Sequence, residues 1–371
     1  MTKKRVLITT VREGHKSIAN AIEALLSQQY QVKQTPDNYF DILFRPYSKS
    51  IQFFPYIMYI PFFLAKNEYF NKLSRQAFKK TAYQKTLKDV LSFQPHCIIS
   101  TYFGFNEALN QICKAKKIPW FNIVTDPRIA HSNLLDKKTL NLVFDQELSD
   151  TAQHAYNIAK DKLLVSGWFV HPKFYQHDSS EQMWRFFDFN PKVFTILICG
   201  GSEGMSAILK ILPAFINSPK PVQVIIVCGK NKILARLIKQ FLRSTKSLLP
   251  QSHNANIKVL GFTTKMPELM SMANLVVGKA GPNLLFEAVA SQKPFLAISH
   301  MPGQEEPNLK LIKDLKLGFV EENPLKTIPL LHKIITYPRI LKRFSQGITK
   351  IRNHNQKSAQ VLQTYLKQKL G

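Results

Sequence analysis

Apolar residues in this chain fall into short continuous runs separated by stretches with helical spacing, and this alternation indicates the fold class. Residues 6–10 read as a buried strand, and residues 17–26 place Ile18, Ala21, Ile22 and Leu25 on one face of a helix. Further strands are expected at 97–100, 120–125 and 140–144, with a helix over about 106–116 between the first two. Strands separated by helical stretches imply an α/β fold with a parallel, doubly wound sheet. Residues 171–190 are polar and aromatic with weak periodicity and read as a linker. The pattern restarts at Val193, where VFTILIC leads into Gly200-Gly201-Ser202-Glu203-Gly204 and another helix. The expected organisation is therefore an N-terminal domain over 1–170, the linker over 171–190, and a second domain over 191–341. One long basic helix is expected over 342–371, with Phe344, Ile348, Ile351, Ala359, Leu362 and Leu366 as its apolar positions.

Glycine sharpens the picture of the second half. Eight of the 14 glycines fall between positions 200 and 303, which marks loops where the backbone turns tightly or approaches a ligand. Strand 275–277 runs into Gly278-Lys279-Ala280-Gly281-Pro282, and a helix start beside Lys279 is an anion site. Glu287, further along that helix, has the chemistry to accept hydrogen bonds from a ribose diol; a surface position or a local lysine pair would explain it equally well. Gln304, Glu305 and Asn308 follow the Pro302-Gly303 turn, either as sugar-hydroxyl contacts or as a helix cap. Phe262, after Gly261, sits either beside a base or in the core at a strand end. The inventory fits a sugar nucleotide.

Length and charge bound the partners. At 371 residues the chain suits two α/β domains, and its formal net charge of +27 draws it to a polyanion or an anionic lipid surface. Nucleic acid is disfavoured, because the sequence has no zinc-ligand spacing, no RNP-like aromatic strand and no compact basic arm. Cys97, Cys113, Cys199 and Cys228 are scattered, which fits buried, reduced thiols of a cytosolic protein. The N-terminal apolar run reads as a first strand and not as a secretion signal. Residues 51–64, IQFFPYIMYIPFFL, are too short to span a bilayer and are broken by Pro55 and Pro61. Lys66, Lys72, Arg75, Lys79, Lys80, Lys85 and Lys88 follow. The run is either buried core or a monotopic docking surface that uses Phe53, Phe54, Tyr56, Phe62 and Phe63.

Over residues 257–308 the order GFT...M.ELM..A.LVV.KAGP....EA......P......PGQE..N resembles the donor half of glycosyltransferase family 28. That family holds the lipid-II-forming N-acetylglucosaminyltransferase, the monogalactosyldiacylglycerol synthases and the processive diacylglycerol glucosyltransferases. The resemblance implies two facing Rossmann-like domains of the GT-B architecture with a cleft between them, a UDP-sugar donor in the second half and the acceptor in the first. It implies an inverting transfer with no cofactor and no metal. It also assigns Gly200, Gly201 and Ser202 to the donor diphosphate with Lys279, Ala280 and Gly281, Phe262 to the base, Glu287 to the ribose, and Gln304, Glu305 and Asn308 to the sugar.

In the first half, Arg12-Glu13-Gly14-His15 resembles the family's glycine-rich GGGH or GGH loop, with Arg12 and Glu13 in place of glycines. His15 is the candidate to take or position the acceptor hydroxyl's proton. Thr125-Asp126-Pro127 followed by His131 resembles the family's TD....H segment; Asp126 is then the base itself or the orienter of His15, or simply a turn cap. The aromatic residue common after that histidine is absent, Leu134 being the nearest bulky apolar side chain. That segment leans toward diacylglycerol as acceptor. N-acetylglucosaminyl transfer to a lipid-linked peptidoglycan precursor, or a catalytically degenerate relative that docks on membranes, are the alternatives. The implied location is cytoplasmic, at the inner face of an anionic membrane.

Overall fold

The computed structural model describes residues 3–12, 14–40, 63–64, 67–128, 131–176, 181–201, 206–248 and 254–371. Glu13, Phe53, Phe54, Tyr56, Phe62 and Ser202, singled out above, lie outside the described residues. The chain divides into two compact units. The first comprises Met1–Pro172, Pro302–Gln304 and Asn353–Gly371, and the second Lys173–Met301 and Glu305–Arg352.

The first unit is built from β1 (Arg5–Thr9), α1 (Gly14–Leu26), β2 (Gln31–Gln34), α2 (Glu68–Phe93), β3 (Cys97–Ser100), α3 (Asn106–Lys116), β4 (Trp120–Ile123), β5 (Leu140–Val143), α4 (Gln146–Tyr156) and β6 (Leu163–Val165). Its six strands are parallel, in the order β2-β1-β3-β4-β5-β6. Val6, Leu7 and Ile8 are wholly buried, as befits a strand covered on both faces. Strand order reverses between β1 and β3, so the loops after these two strands flank the switch point where open α/β sheets bind ligands. Helix α1 begins three residues earlier than the apolar spacing suggests, because Gly14, His15 and Lys16 are helical but carry no periodic apolar signal.

The second unit runs α5 (Glu181–Phe187), β7 (Phe194–Cys199), α6 (Ala207–Ile211), α7 (Pro213–Ile216), β8 (Val222–Val227), α8 (Lys232–Leu248), β9 (Ala255–Leu260), α9 (Met266–Met272), β10 (Leu275–Lys279), α10 (Pro282–Ala290), β11 (Phe295–Ser299), α11 (Glu306–Asp314), β12 (Gly318–Val320) and α12 (Pro324–Thr336). Its six parallel strands are ordered β12-β11-β10-β7-β8-β9, with the switch point between β10 and β7. Gly278 and Lys279, expected in a turn, are the last residues of β10, with a register shift between them. A Cβ on Gly278 would lie 2.9 Å from the Cys199 carbonyl oxygen, so only glycine lets β10 lie this close to β7.

Two expectations are corrected. Residues 171–190 are not a plain linker: they contain a 3₁₀ turn at Pro172–Tyr175 and helix α5, and Phe174, Met183, Phe187 and Phe189 are buried. The single helix expected over 342–371 is instead a 3₁₀ segment ending at Phe344, then α13 (Ser345–Gln356) and α14 (Ser358–Leu370). The break at Lys357 follows two anchors. His354 Nε2 bonds the Phe144 carbonyl at 2.7 Å, and Asn355 Oδ1 accepts from the Trp168 amide at 2.9 Å. Gly167, at φ +79°, lets the chains meet there, since a Cβ would lie 2.9 Å from the His354 oxygen.

Gly318 is the tightest point of the second sheet, with a Cβ position 1.7 Å from the Phe295 carbonyl oxygen. Gly318→Ala is therefore expected to cost about 3 kcal/mol in urea unfolding, with the midpoint falling at unchanged slope.

Candidate active site

In the second unit the C-terminal ends of β7 and β10 flank the switch point, and the loops that leave them carry the predicted donor residues. Gly201 has φ +74°, and a Cβ there would meet Lys279 Cε at 3.7 Å. A Cβ on Gly281 would lie 3.5 Å from the same atom and 3.2 Å from Glu305 Oε1. The lysine stem thus runs beside two residues that lack side chains. Its ammonium donates to Glu305 Oε1 at 2.9 Å, and Glu305 Oε2 accepts from the Met301 amide at 2.8 Å. Glu305 is only 5% exposed, so its charge is matched within the protein. Asn308, also buried, donates through Nδ2 to the Ala280 carbonyl at 2.9 Å. Glu305 and Asn308 therefore hold the Lys279–Gly281 segment in place, a use that their polar character alone does not reveal.

The backbone donors differ from the expectation. Ala280 N–H bonds Ser299 O at 2.8 Å, Gly281 N–H bonds Lys279 O at 2.7 Å, and Pro282 has no N–H. The turn itself thus offers an anion the Lys279 side chain, and any amide contribution comes from later in the first turn of α10. Gly200 N–H is engaged with Val227 O at 3.2 Å, which leaves Gly201 as the described amide of that loop. Glu287, half-buried on α10, lies near enough to Cys199 for its charge, after burial, to push that thiol's pKa up. Its carboxylate is therefore placed beside the end of β7. Phe262 is 64% exposed, which removes the reading of it as a core aromatic.

In the first unit the polar groups gather where β1 and β3 end. His15 Nδ1 lies 2.7 Å from the Thr101 carbonyl oxygen and 3.2 Å from Thr125 Oγ1. A carbonyl can only accept, so Nδ1 carries the proton and Nε2 presents its lone pair. The Tyr102 ring stands edge-on at 4.8 Å. Burial lowers the imidazole to about 4, opposed by the Thr101 bond, and His15 is neutral at pH 7. Thr101 Oγ1 in turn donates to Thr10 Oγ1 at 2.9 Å, and Thr35 Oγ1 accepts from the Thr10 amide at 3.0 Å. The hydrogen bonds that orient His15 come from Thr125, the threonine of the TD....H segment, and from Thr101, which directly follows the strand expected at 97–100 and was not singled out. Asp126 itself is buried, and Gln304, which belongs to the first unit, donates to its Oδ1 at 3.3 Å.

His131 is half-buried against Phe103, with ring centroids 5.2 Å apart, and its pKa is lowered to about 4 by burial and then by Arg75. The adjoining turn is tied to the start of α2. Asn133 Nδ2 donates to Asn71 Oδ1 at 2.9 Å, and Arg75 Nε donates to Asn133 Oδ1 at 2.7 Å. At that end of α2, Tyr69 is 71% and Leu73 54% exposed, and Phe63 and Phe70 are exposed as well. Among the described residues no helix is long and apolar enough to cross a membrane, and no group of three or more His, Cys, Asp or Glu side chains could hold a metal ion. All four cysteines are buried and unbridged.

Residues 195–318, nearly all of the second sheet, match the glycosyltransferase family 28 C-terminal domain. Along its length the chain is 22% identical to a processive diacylglycerol beta-glucosyltransferase of Bacillus subtilis (strain 168), with 99% of this chain and 96% of that protein covered. The fold is similar to that of MurG from Acinetobacter baumannii, with a TM-score of 0.60 and 16% identity over 98% of this chain and 99% of the other. It is also similar to UDP-GlcNAc 2-epimerase from Neisseria meningitidis, solved bound to UDP-GlcNAc, with a TM-score of 0.63 and 18% identity over 98% and 100% of the two chains. At such identities the structures speak for fold alone, and the two parallel six-stranded sheets with flanking helices are those of GT-B proteins. The second of those sheets thus carries a glycosyltransferase family 28 C-terminal domain, and from end to end the chain is similar to a glycosyltransferase that acts on diacylglycerol.

Proposed function

We propose that the protein transfers a hexosyl group, with inversion, from a UDP-sugar to the hydroxyl of a membrane lipid, diacylglycerol being the best-supported acceptor. The observation that carries this reading is the convergence of the Gly200-Gly201 loop, the Lys279–Glu305 pair and Glu287 at the switch point of the second sheet. Ribose hydroxyls donate to Glu287, and exposed Phe262 lies against the base. Lys279 and the Gly201 amide face the diphosphate and stabilise the charge that grows on it as the anomeric carbon–oxygen bond breaks. On this reading no bound metal is needed. Glu305 and Asn308 are positioning residues that act through Lys279 and Ala280, while Gln304 remains the candidate for contact with the sugar.

The acceptor hydroxyl attacks the anomeric carbon while its proton passes to His15 Nε2, the nitrogen left bare by the Nδ1–H bond to Thr101. Asp126, buried in the turn that also bears Thr125, places negative charge in the acceptor unit and favours the imidazolium as it forms. Support for a lipid acceptor comes from the activity for which the Bacillus subtilis relative is named and from the exposed aromatics at the start of α2. Those aromatics, with Lys72 and Lys79 nearby in sequence, suit peripheral docking on the inner, anionic face of a membrane. An epimerase of the same fold has no use for that surface.

UDP release measured over a panel of UDP-sugars should depend on added diacylglycerol vesicles. Release that ignores lipid, or isomerisation of UDP-N-acetylglucosamine without lipid, would overturn the reading. Glu287→Ala is expected to weaken UDP binding roughly tenfold or more in calorimetry, consistent with loss of a hydrogen bond between a charged group and the ribose. His15→Ala should bind UDP normally yet lose about 10²-fold or more in turnover. Because His15 stays neutral down to about 4, the acid limb of kcat/KM should fall toward that pH and not near 6.5. Thermal unfolding should be followed in parallel. The depressed His15 and His131 values make stability complete above 6.5 and progressively lost as pH drops toward 4, since only the unfolded chain binds those protons.

A further inference from the structure

Helix α8 carries one more apolar stripe than its own unit covers. Leu234 and Ile238 are buried on its inner face, while Ile233, Leu237 and Phe241 are 66%, 46% and 36% exposed. Their i, i+4, i+8 spacing sets these three side chains in a single outer row. Lys232, Arg236, Lys239 and Arg243 form a second row beside it at spacings of four, three and four. The helix contains no acidic residue, and among the described residues none of these four cations has an acidic partner. Beyond the basic row lies a groove of about 410 Å³ lined by Phe186, Phe187, Lys239, Leu242, Arg243 and Lys258. Phe186 is itself exposed, with Lys265 Nζ 5.8 Å from its ring centroid.

We propose that the outer face of α8 and this groove form an anionic-lipid contact surface on the sugar-nucleotide unit. Ile233, Leu237 and Phe241 enter the interfacial layer, and Arg236, Lys239, Arg243 and Lys258 hold phosphate headgroups. An uncovered apolar row beside unneutralised cations matches the two parts of an anionic amphiphile, and the net charge of +27 acts in the same direction. A second copy of the chain is a poor match. Three side chains fall far short of the roughly 1,200 Å² that a stable interface buries, and two such faces would bring like charges together. The inference goes beyond sugar transfer, since it requires neither nucleotide nor acceptor.

The test uses the full chain with phosphatidylcholine vesicles, with and without phosphatidylglycerol, and reads the bound fraction by sedimentation at low and high salt. Wild type is expected to bind the phosphatidylglycerol vesicles and to release them in high salt. Ile233→Ser/Leu237→Ser should weaken that binding roughly tenfold. Arg236→Gln/Arg243→Gln should reduce the preference for phosphatidylglycerol by about tenfold or more. Both should keep the wild-type thermal midpoint, because the substituted side chains are exposed. A Tyr69→Ser/Leu73→Ser variant measures separately what the start of α2 contributes. The proposal is overturned if both α8 variants bind vesicles as wild type does. It is also overturned if light scattering shows a dimer that Ile233→Ser/Leu237→Ser dissociates while vesicle binding stays the same.

Discussion

A buried carboxylate governs the edge of the second sheet beside its strand-order reversal. Glu305 holds the Lys279 ammonium with one oxygen and the Met301 amide with the other, and thereby fixes two loops that are distant in sequence. Removing the lysine would strand a charge in the interior, and removing the carboxylate would free the lysine stem to turn away from Gly201 and Gly281. The stabilisation such a pair adds is small next to its geometric effect. It sets where positive charge is presented before any ligand arrives, which is the condition for electrostatic preorganisation.

The first unit solves the same problem with neutral groups. Hydroxyls of Thr10, Thr35, Thr101 and Thr125, all buried, surround the start of α1, and a backbone carbonyl fixes the tautomer of His15. No net charge is placed next to the imidazole by these partners, so burial outweighs the Thr101 bond and leaves it neutral. A lone pair is thereby aimed by uncharged hydrogen-bond partners. In both units the decisive groups leave the sheet beside the strand-order reversal, where adjacent loops part in opposite directions and open room for a ligand.

Much of this was legible in the chain because the governing signals are local. Helix 106–116 and strand 97–100 have the bounds that apolar spacing suggests, and the motif order across 257–308 carried the family. What escaped was set by long-range partners. The helix break at Lys357 depends on an Asn355 bond to Trp168, 187 positions away, and no residue at the break is itself a helix stop. The Ala280 amide looked open to an anion until β11 brought Ser299 O against it. Likewise, the bonds of Glu305 to Lys279 and of Asn308 to Ala280 were hidden, because sequence shows that a side chain is polar but not which group it faces. Thr101 left no pattern at all and Thr125 stood in the TD....H segment with no sign of its partner, so only the adjacency of β1, β3 and β4 could have pointed to their bonds with His15.

A GT-B scaffold by itself does not choose a chemistry, since an epimerase that handles a sugar nucleotide shares it. The choice has to lie in features that nucleotide binding does not require. Here those features are uncovered apolar side chains beside cations, at Tyr69 and Leu73 on α2 and at Ile233 and Leu237 on α8. Exposed aromatics and leucines of this kind carry an aggregation hazard with no benefit to an enzyme whose reactants are all dissolved in water. They become useful when one reactant is an amphiphile that stays in its bilayer. On the proposed function, the surfaces of both units suit a lipid-bound substrate, and this argument is separate from the donor motifs.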